Sequence, residues 1–413
     1  MKITKKILVL AVLLGSSVAM MAQGVMTPYS RYGYGILHDN ATSAQRAMGG
    51  VGYAMSSGRQ INAMNPASYA SIDSLTFLFD MGIDATALWS KEGDMSGKNF
   101  GGGLDYITMQ FPITKYMGAS VGLLPFSSVG YSFGNKIDNG SNTYEGSGGL
   151  NQLYAGLSGR FFNHLSIGVN ASYLFGTTIN DIYAKTSAGS TALFERVMQV
   201  RDWRIQAGIQ YGFNIGEKNK VTLGAVFTPG KDLLGKTWGV QYDINTDAKP
   251  DTLGYTSTKG KYSLPNSWGG GINYEWDNRL MAEVDFTYQS WKDAKYSALE
   301  GFGDAPRFDN RWEIAAGVQY IPKLRGNYAQ RIQYRLGGFY NHDYLLIHNN
   351  NIQEYGVTAG VGLPVNGFKT VVNLGFEYRH RQASPQALVK EDYFNITLGV
   401  NFNEMWFWKN KIR

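Results

Sequence analysis

The chain has no cysteine, so it forms no disulfide and offers no thiol for lipid attachment of an exported lipoprotein. Long apolar runs are also missing. The one candidate, residues 7–14, falls well short of the roughly 20 residues a bilayer-spanning helix needs, which excludes a helical inner-membrane topology. The five histidines, His38, His164, His342, His348 and His380, do not cluster with carboxylates at metal-ligand spacing, and apart from His38 they are expected on turns or loops. The triplet Asn341-His342-Asp343 has no serine at a defined offset on a neighbouring strand, so it gives no nucleophile–base pair. No enzyme, metal or cofactor is expected.

The basic balance is partly a targeting feature. Lys2, Lys5 and Lys6 precede the apolar run, and small and apolar residues continue to Ala22, the pattern of a cleaved export signal. Two cleavage points fit, after Ala22 or after Ala19. Without the three lysines the formal net charge falls from +6 to +3, and nucleic-acid binding gains no support.

What the chain has in quantity is alternation. From Ser74 to Phe402 about fourteen stretches alternate apolar with polar residues. Leu280, Ala282, Val284, Phe286 and Tyr288 interleave with Met281, Glu283, Asp285, Thr287 and Gln289. Val372, Leu374, Phe376 and Tyr378 interleave with Asn373, Gly375, Glu377 and Arg379. One face suits lipid and the other water. The connections alternate as well: 114–118, 162–164, 216–220, 276–279, 322–330 and 364–368 are short, whereas 90–101, 135–149, 178–202, 228–263, 291–309, 341–354 and 379–392 are long. Short turns at one end and long loops at the other are the plan of an outer-membrane barrel, and Tyr211, Trp276, Tyr288, Tyr320 and Tyr340 fall where its interfaces would be. Glycine, 51 of 413 residues, exceeds the usual ~7% and suits close strand approach and bends in a curved wall.

The predicted organisation is a signal peptide (1–22), an N-terminal luminal plug (23–72), an all-β transmembrane antiparallel barrel of about fourteen strands (73–403) and a periplasmic extension (404–413). The plug segment does not alternate. It carries few charges and several apolar residues, among them Ile36, Leu37, Met48, Ile61 and Met64, which suits the interior of a barrel too wide for its own side chains to fill. The segment is expected in the periplasmic mouth, with both termini periplasmic. Inward charges Glu283, Asp285, Arg335, Glu377 and Arg379 describe a solvated or cross-paired lumen, while Leu174, Val226, Met281 and Ala315 break that row towards a greasier one.

With a signal peptide, a plug containing Asn65-Pro66-Ala67 just ahead of the first strand, and fourteen strands, the chain resembles the FadL family of outer-membrane transporters for hydrophobic compounds. In that family a kink in the third strand opens a lateral passage to lipid. Carried onto this sequence, the resemblance implies that Pro125, with Leu124 and Phe126, marks the opening, and that the function is passive, plug-gated uptake of small hydrophobic compounds, long-chain fatty acids or similar. Outer-membrane lipid and the ligand would be the partners. The family also contains PorV-like barrels that anchor a secretion or surface complex. That alternative would use the outer loops or the tail Met405-Trp406-Phe407-Trp408 onwards to hold a protein partner.

One motif is rejected. Residues 230–237 satisfy G-x-x-x-x-G-K-T, but Trp238, Val240, Tyr242 and Ile244 alternate as a strand where a phosphate loop needs a helix.

Overall fold

A computed structural model describes residues 25–244, 251–259, 262–302, 305–365 and 369–405. The signal-peptide reading and the tail from residue 406 onwards lie outside these residues.

Fourteen antiparallel strands form the wall: β1 (Thr76–Glu92), β2 (Met95–Thr114), β3 (Met117–Ile137), β4 (Gly140–Phe161), β5 (Leu165–Thr186), β6 (Thr191–Ile215), β7 (Asn219–Thr228), β8 (Ser267–Trp276), β9 (Leu280–Gln289), β10 (Arg311–Tyr320), β11 (Gln333–Ile347), β12 (Asn350–Pro364), β13 (Val371–Ser384) and β14 (Lys390–Met405). Closure is made by β1 and β14, paired from Thr76↔Met405 to Lys91↔Lys390. The last strand therefore includes Glu404 and Met405, which correct the expected boundary at residue 403: the ladder continues because Thr76 and Phe77 offer it partners.

The outward rows meet lipid. Leu153, Leu157, Ile205, Val284, Phe286, Leu336 and Val357 all stand exposed, an apolar band that water could not solvate cheaply. Tyrosines and tryptophans such as Trp203, Trp276, Tyr320 and Tyr378 occur among the same exposed rows.

The expected long loops need correction. Most are continued strand: β1 and β2 pair out to Glu92↔Met95, β3 and β4 to Ile137↔Gly140, and β11 and β12 to Ile347↔Asn350 across the two-residue turn His348-Asn349. Both turn residues have positive φ, as do Phe162-Asn163 and Asp277-Asn278, the requirement of a tight hairpin matched to strand twist. About ten residues suffice to cross a membrane. β7 to β10 have ten each, whereas β2 to β6 have 20 to 25, so one side of the wall stands far above the lipid. There the outer face meets water in place of lipid, the strict alternation lapses, and the sequence reads as loop. The hairpin Gly235–Asp243 with Asp251–Lys259 extends this tall side by pairing with the upper half of β6. His342 and His380 accordingly lie on strands β11 and β13 and not on loops.

Orientation is tested by labelling intact cells with an impermeant thiol reagent. Ser187→Cys, at the tip of the β5–β6 hairpin, should react, and Lys218→Cys, in the β6–β7 turn, should react only after the outer membrane is opened. The reverse pattern would invert the barrel.

Candidate functional site: the wall opening and the lumen behind it

Residues 42–72 are bolted to the inner wall by buried polar contacts. Asp285 on β9 accepts from the backbone N–H groups of Gly52 (2.6 Å) and Tyr53 (2.9 Å), and Glu283 accepts from Ala54 (2.8 Å). Asn65 caps the 3-10 turn Pro66–Ser71 by accepting from the Ala67 N–H, and donates to the carbonyls of Tyr53 and Ile209. Pro66 sits at the first turn position, where a missing N–H costs nothing. Ala67 is fully buried. The three-residue motif thus folds a turn and ties it to β6. Wall glycines make room for it: a side chain at Gly224 would overlap the Tyr53 carbonyl, and one at Gly317 the Met48 carbonyl. Several other wall glycines, such as Gly118, Gly168 and Gly337, serve the same close approach of the inserted backbone, a use beyond the strand approach and bends expected from composition.

The start of the segment lies elsewhere. Thr27 donates its N–H to the Gly130 carbonyl and His38 to the Phe126 carbonyl, while Ile36 and Leu37 pair as a short strand with Ser128 and Ser127 on β3. Tyr34 donates its hydroxyl to the Ser263 carbonyl and packs on Trp291, Tyr296 and Phe308. Residues 25–38 therefore lie at the end of the lumen opposite the short turns, which corrects the expectation that 23–72 fills the periplasmic mouth. Around them Tyr29, Tyr34, Trp291, Tyr344, Leu345 and Ile352 form a buried apolar core at that end.

β3 pairs with this segment because it lacks β2. The β2–β3 ladder runs only from Thr114↔Met117 to Ile107↔Leu123. Above that point β2 pairs with β1, and β3 pairs with β4 and residues 36–37. Each strand bulges where they part: Asp105 drops out of the β1–β2 register and Phe126 out of the β3–β4 register, beside Pro125, which has no N–H to give. Of the three expected passage residues only Pro125 lines the cavity behind the opening. Leu124 packs inward with Tyr69, Tyr106 and Tyr154, and Phe126 joins the outer core.

That cavity has a volume of about 650 Å³. Ile36, Leu37, Leu104, Pro125 and Phe175 are among its apolar lining, beside glycines, uncharged polar side chains and a set of charged groups. Arg379 pairs with Glu377 (2.6 Å) and Glu354 (3.5 Å), Arg381 with Glu354 and Glu391, Arg311 with Glu313 and Asp39, and Arg46 with Asp105 (2.8 Å). The five expected luminal charges all face inward but do different work. Glu377 and Arg379 are cross-paired and line the cavity, Glu283 and Asp285 hold the inserted chain, and Arg335 is bonded to Gln319, Gln333 and Asn373. Of the four apolar breaks in the inward row, Met281 and Ala315 pack against Met48, Val51 and Met55, and Leu174 joins the outer core; none of these three lines the cavity. Asp84, Asp105, Arg46 and Arg381 escaped the sequence reading. Asp84 was within reach, since Asp80, Gly82 and Asp84 alternate with Phe79, Met81 and Ile83 on β1.

His38 joins inserted segment to wall: its Nε2 lies 3.0 Å from the Ser128 hydroxyl. Burial, assisted by the Arg46 and Arg379 guanidiniums against the opposing pull of Asp39, pushes its imidazole down to about 4. The false phosphate loop is settled by the backbone, because Gly235–Asp243 is a strand.

A family model described as BamG matches residues 3–413. No curated protein matches the chain. Among solved structures it is similar to a Pseudomonas aeruginosa FadL homologue (12% identity, 89% of this chain and 99% of that one, TM-score 0.64). It is also similar to the P. putida toluene transporter TodX (16%, 90% and 100%, TM-score 0.63) and to the CymD monoaromatic hydrocarbon channel (13%, 89% and 99%, TM-score 0.59). At these identities the shared property is the fold.

Two outcomes follow for the inserted segment. Gly224→Val should loosen residues 48–72 by about 1–3 kcal/mol through overpacking, and Glu283→Gln with Asp285→Asn by about 1.5–3 kcal/mol per lost charged acceptor; both are read as faster proteolysis of that segment in a still-folded barrel. The second outcome concerns pH. His38 resists protonation when docked but titrates near 6.5 when released, so docking is favoured fully above pH 6.5 and weakens as pH falls towards 4. A spin label at Leu37→Cys should become more mobile over that window, by up to about tenfold per pH unit in the opening equilibrium, and His38→Gln should abolish the dependence.

Proposed function

The chain belongs to the BamG family, and from the geometry of its wall we propose that it is an outer-membrane channel for small hydrophobic compounds that move laterally between lumen and bilayer. The observation that carries this reading is the parting of β2 and β3 above Ile107 and Leu123, directly in front of the cavity. A closed barrel has no reason to leave a strand edge unpaired at lipid depth, where each unmatched backbone group is costly. Likeness of fold to the toluene transporter TodX and to the CymD monoaromatic hydrocarbon channel supports the same class of cargo.

In this reading the chain is exported by residues 1–22, and the inserted segment is a plug with two parts. Residues 42–72 are fixed, because their backbone is bound by buried carboxylates and amides of the wall. The moving part is 25–41. When it leaves β3 the cavity gains a path to the opening, and the ligand is held by apolar contact worth about 25 cal/mol per Å² buried. No covalent chemistry is needed.

A second reading, an anchor for a secretion or surface complex, is favoured by the apolar core around Tyr34 and Trp291, which packs across the end of the lumen opposite the short turns among the described residues. One experiment separates them. Leu37 and Ser127 are direct antiparallel partners, close enough for a disulfide, and the chain has no other cysteine. In cells carrying the Leu37→Cys/Ser127→Cys pair, oxidation should abolish uptake of labelled toluene or alkane and reduction should restore it. Uptake that neither oxidation nor deletion of the protein changes would remove the channel reading and leave the anchor.

A further inference from the structure

We propose that Lys91, Lys98 and Lys390 hold the phosphate group of an outer-leaflet lipid on the wall's outer face, beside the edge of β2 that β3 leaves unpaired. The outward rows of three adjacent strands locate the headgroup layer there. Every outward residue of β14 from Phe402 to Phe394 is apolar, and so is every outward residue of β1 from Phe79 to Ala87. Both strands then change character at one level: Trp89 pairs with Asp392, and the next outward pair is Lys91 with Lys390. β2 repeats the change, with Phe100 opposite Ala87 and Lys98 opposite Trp89. Lys390 stands twelve residues along β14 from Phe402, a climb of about 30 Å in a wall tilted by about 40°. That height is just past an apolar band about 25 Å tall, where lipid phosphates lie.

The three exposed ammonium groups have no counter-ion from the protein. Lys91 and Lys390 are direct cross-strand partners, and Lys98 is the diagonal neighbour of Lys91, two residues beyond its partner Ser96. Like charges placed directly opposite destabilise a sheet. Among the described residues the lysine ion pairs are those of Lys220, Lys231 and Lys295, and none of the three outward lysines has one. Asp392, the carboxylate on the same face, is turned towards β13, where it accepts from the Tyr378 hydroxyl (2.7 Å) and lies 2.7 Å from the His380 imidazole. Glu391 is buried on the inner face with Arg381. A phosphate, with several anionic oxygens, answers neighbouring ammonium groups together. Trp89 is exposed on the same outward face, at the boundary of apolar and charged residues, where an indole anchors to lipid. The acyl chains of a lipid held by Lys98 run down over Phe100 and Leu104, exposed residues of β2 beside the parting from β3.

The test uses the full-length barrel in detergent with graded amounts of monophosphoryl lipid A, bound lipid being counted by native mass spectrometry. Each of Lys91→Gln, Lys98→Gln and Lys390→Gln should weaken retention about fivefold, the effect of one cation near an anionic headgroup, and the triple variant at least about thirtyfold. A control triple, Lys136→Gln, Lys185→Gln and Lys292→Gln, removes the same charge from other exposed positions and should stay within about twofold of the parent. Heat-modifiable mobility verifies a folded barrel in every variant. Equal losses in the two triples would overturn the location, and equal retention of lipid A stripped of its phosphate would overturn the headgroup. Displacement by inorganic phosphate at the concentration of the lipid would assign the site to a free anion and overturn the lipid. Uptake is read in none of these arms, so their failure leaves the channel reading standing, and failure of the uptake experiment leaves the lipid site standing.

Discussion

A polypeptide crossing hydrocarbon must pair its own backbone, because nothing in the lipid will do so. Thirteen of the fourteen neighbouring intervals in this wall obey that constraint apart from local bulges, and the architecture follows from it: antiparallel strands, closure of β1 on β14, apolar and polar rows on opposite faces. The interval between β2 and β3 is the departure. On one side of it the chain supplies its own remedy, since residues 27–38 give β3 the backbone partners that β2 withholds. The opening and the segment that lines it are therefore one device: the strap docks there because the edge is free.

The same constraint explains the inserted chain. A fourteen-strand wall encloses more space than its side chains fill, and a second backbone brought inside must find partners for every N–H and C=O. Here those partners include inward-facing wall residues, Glu283 and Asp285 two apart on β9 and Gln206 and Gln210 four apart on β6, with Gly208 between the latter two where Asn65 and Pro66 approach the wall. Polar residues in the lumen thus serve two purposes, fixing the inner chain and setting the charge of the cavity it leaves.

How much of this the sequence disclosed depended on which solvent imposed the pattern. Lipid imposes a strict period of two, so the strands crossing the membrane, their number and the tight turns at one end were legible from rows such as Leu280–Gln289. Above the membrane the outer face meets water in place of lipid, no strict period is enforced, and the tall halves of β2 to β6 read as loops. Pro125 pointed to the third strand, but the parting also needed the Asp105 bulge on β2, which has no local signature. Inward charges were visible as members of the polar row; that Glu283 and Asp285 bind backbone while Glu377 and Arg379 bind each other is a matter of long-range register, invisible to spacing alone. Asn65-Pro66-Ala67 was visible as a motif, and its cause, a capped turn seated on β6, required the wall.

Backbone amide exchange followed by mass spectrometry, in nanodiscs, interrogates the parted interval most directly. The account predicts that residues 124–130 of β3 are as protected as the rest of the wall, because the strap pairs with them, while residues 99–104 of β2 exchange at least ten times faster than residues 107–112 of the same strand. Equal and strong protection along the whole of β2 would mean that the wall is closed there, and the lateral route would fall with it.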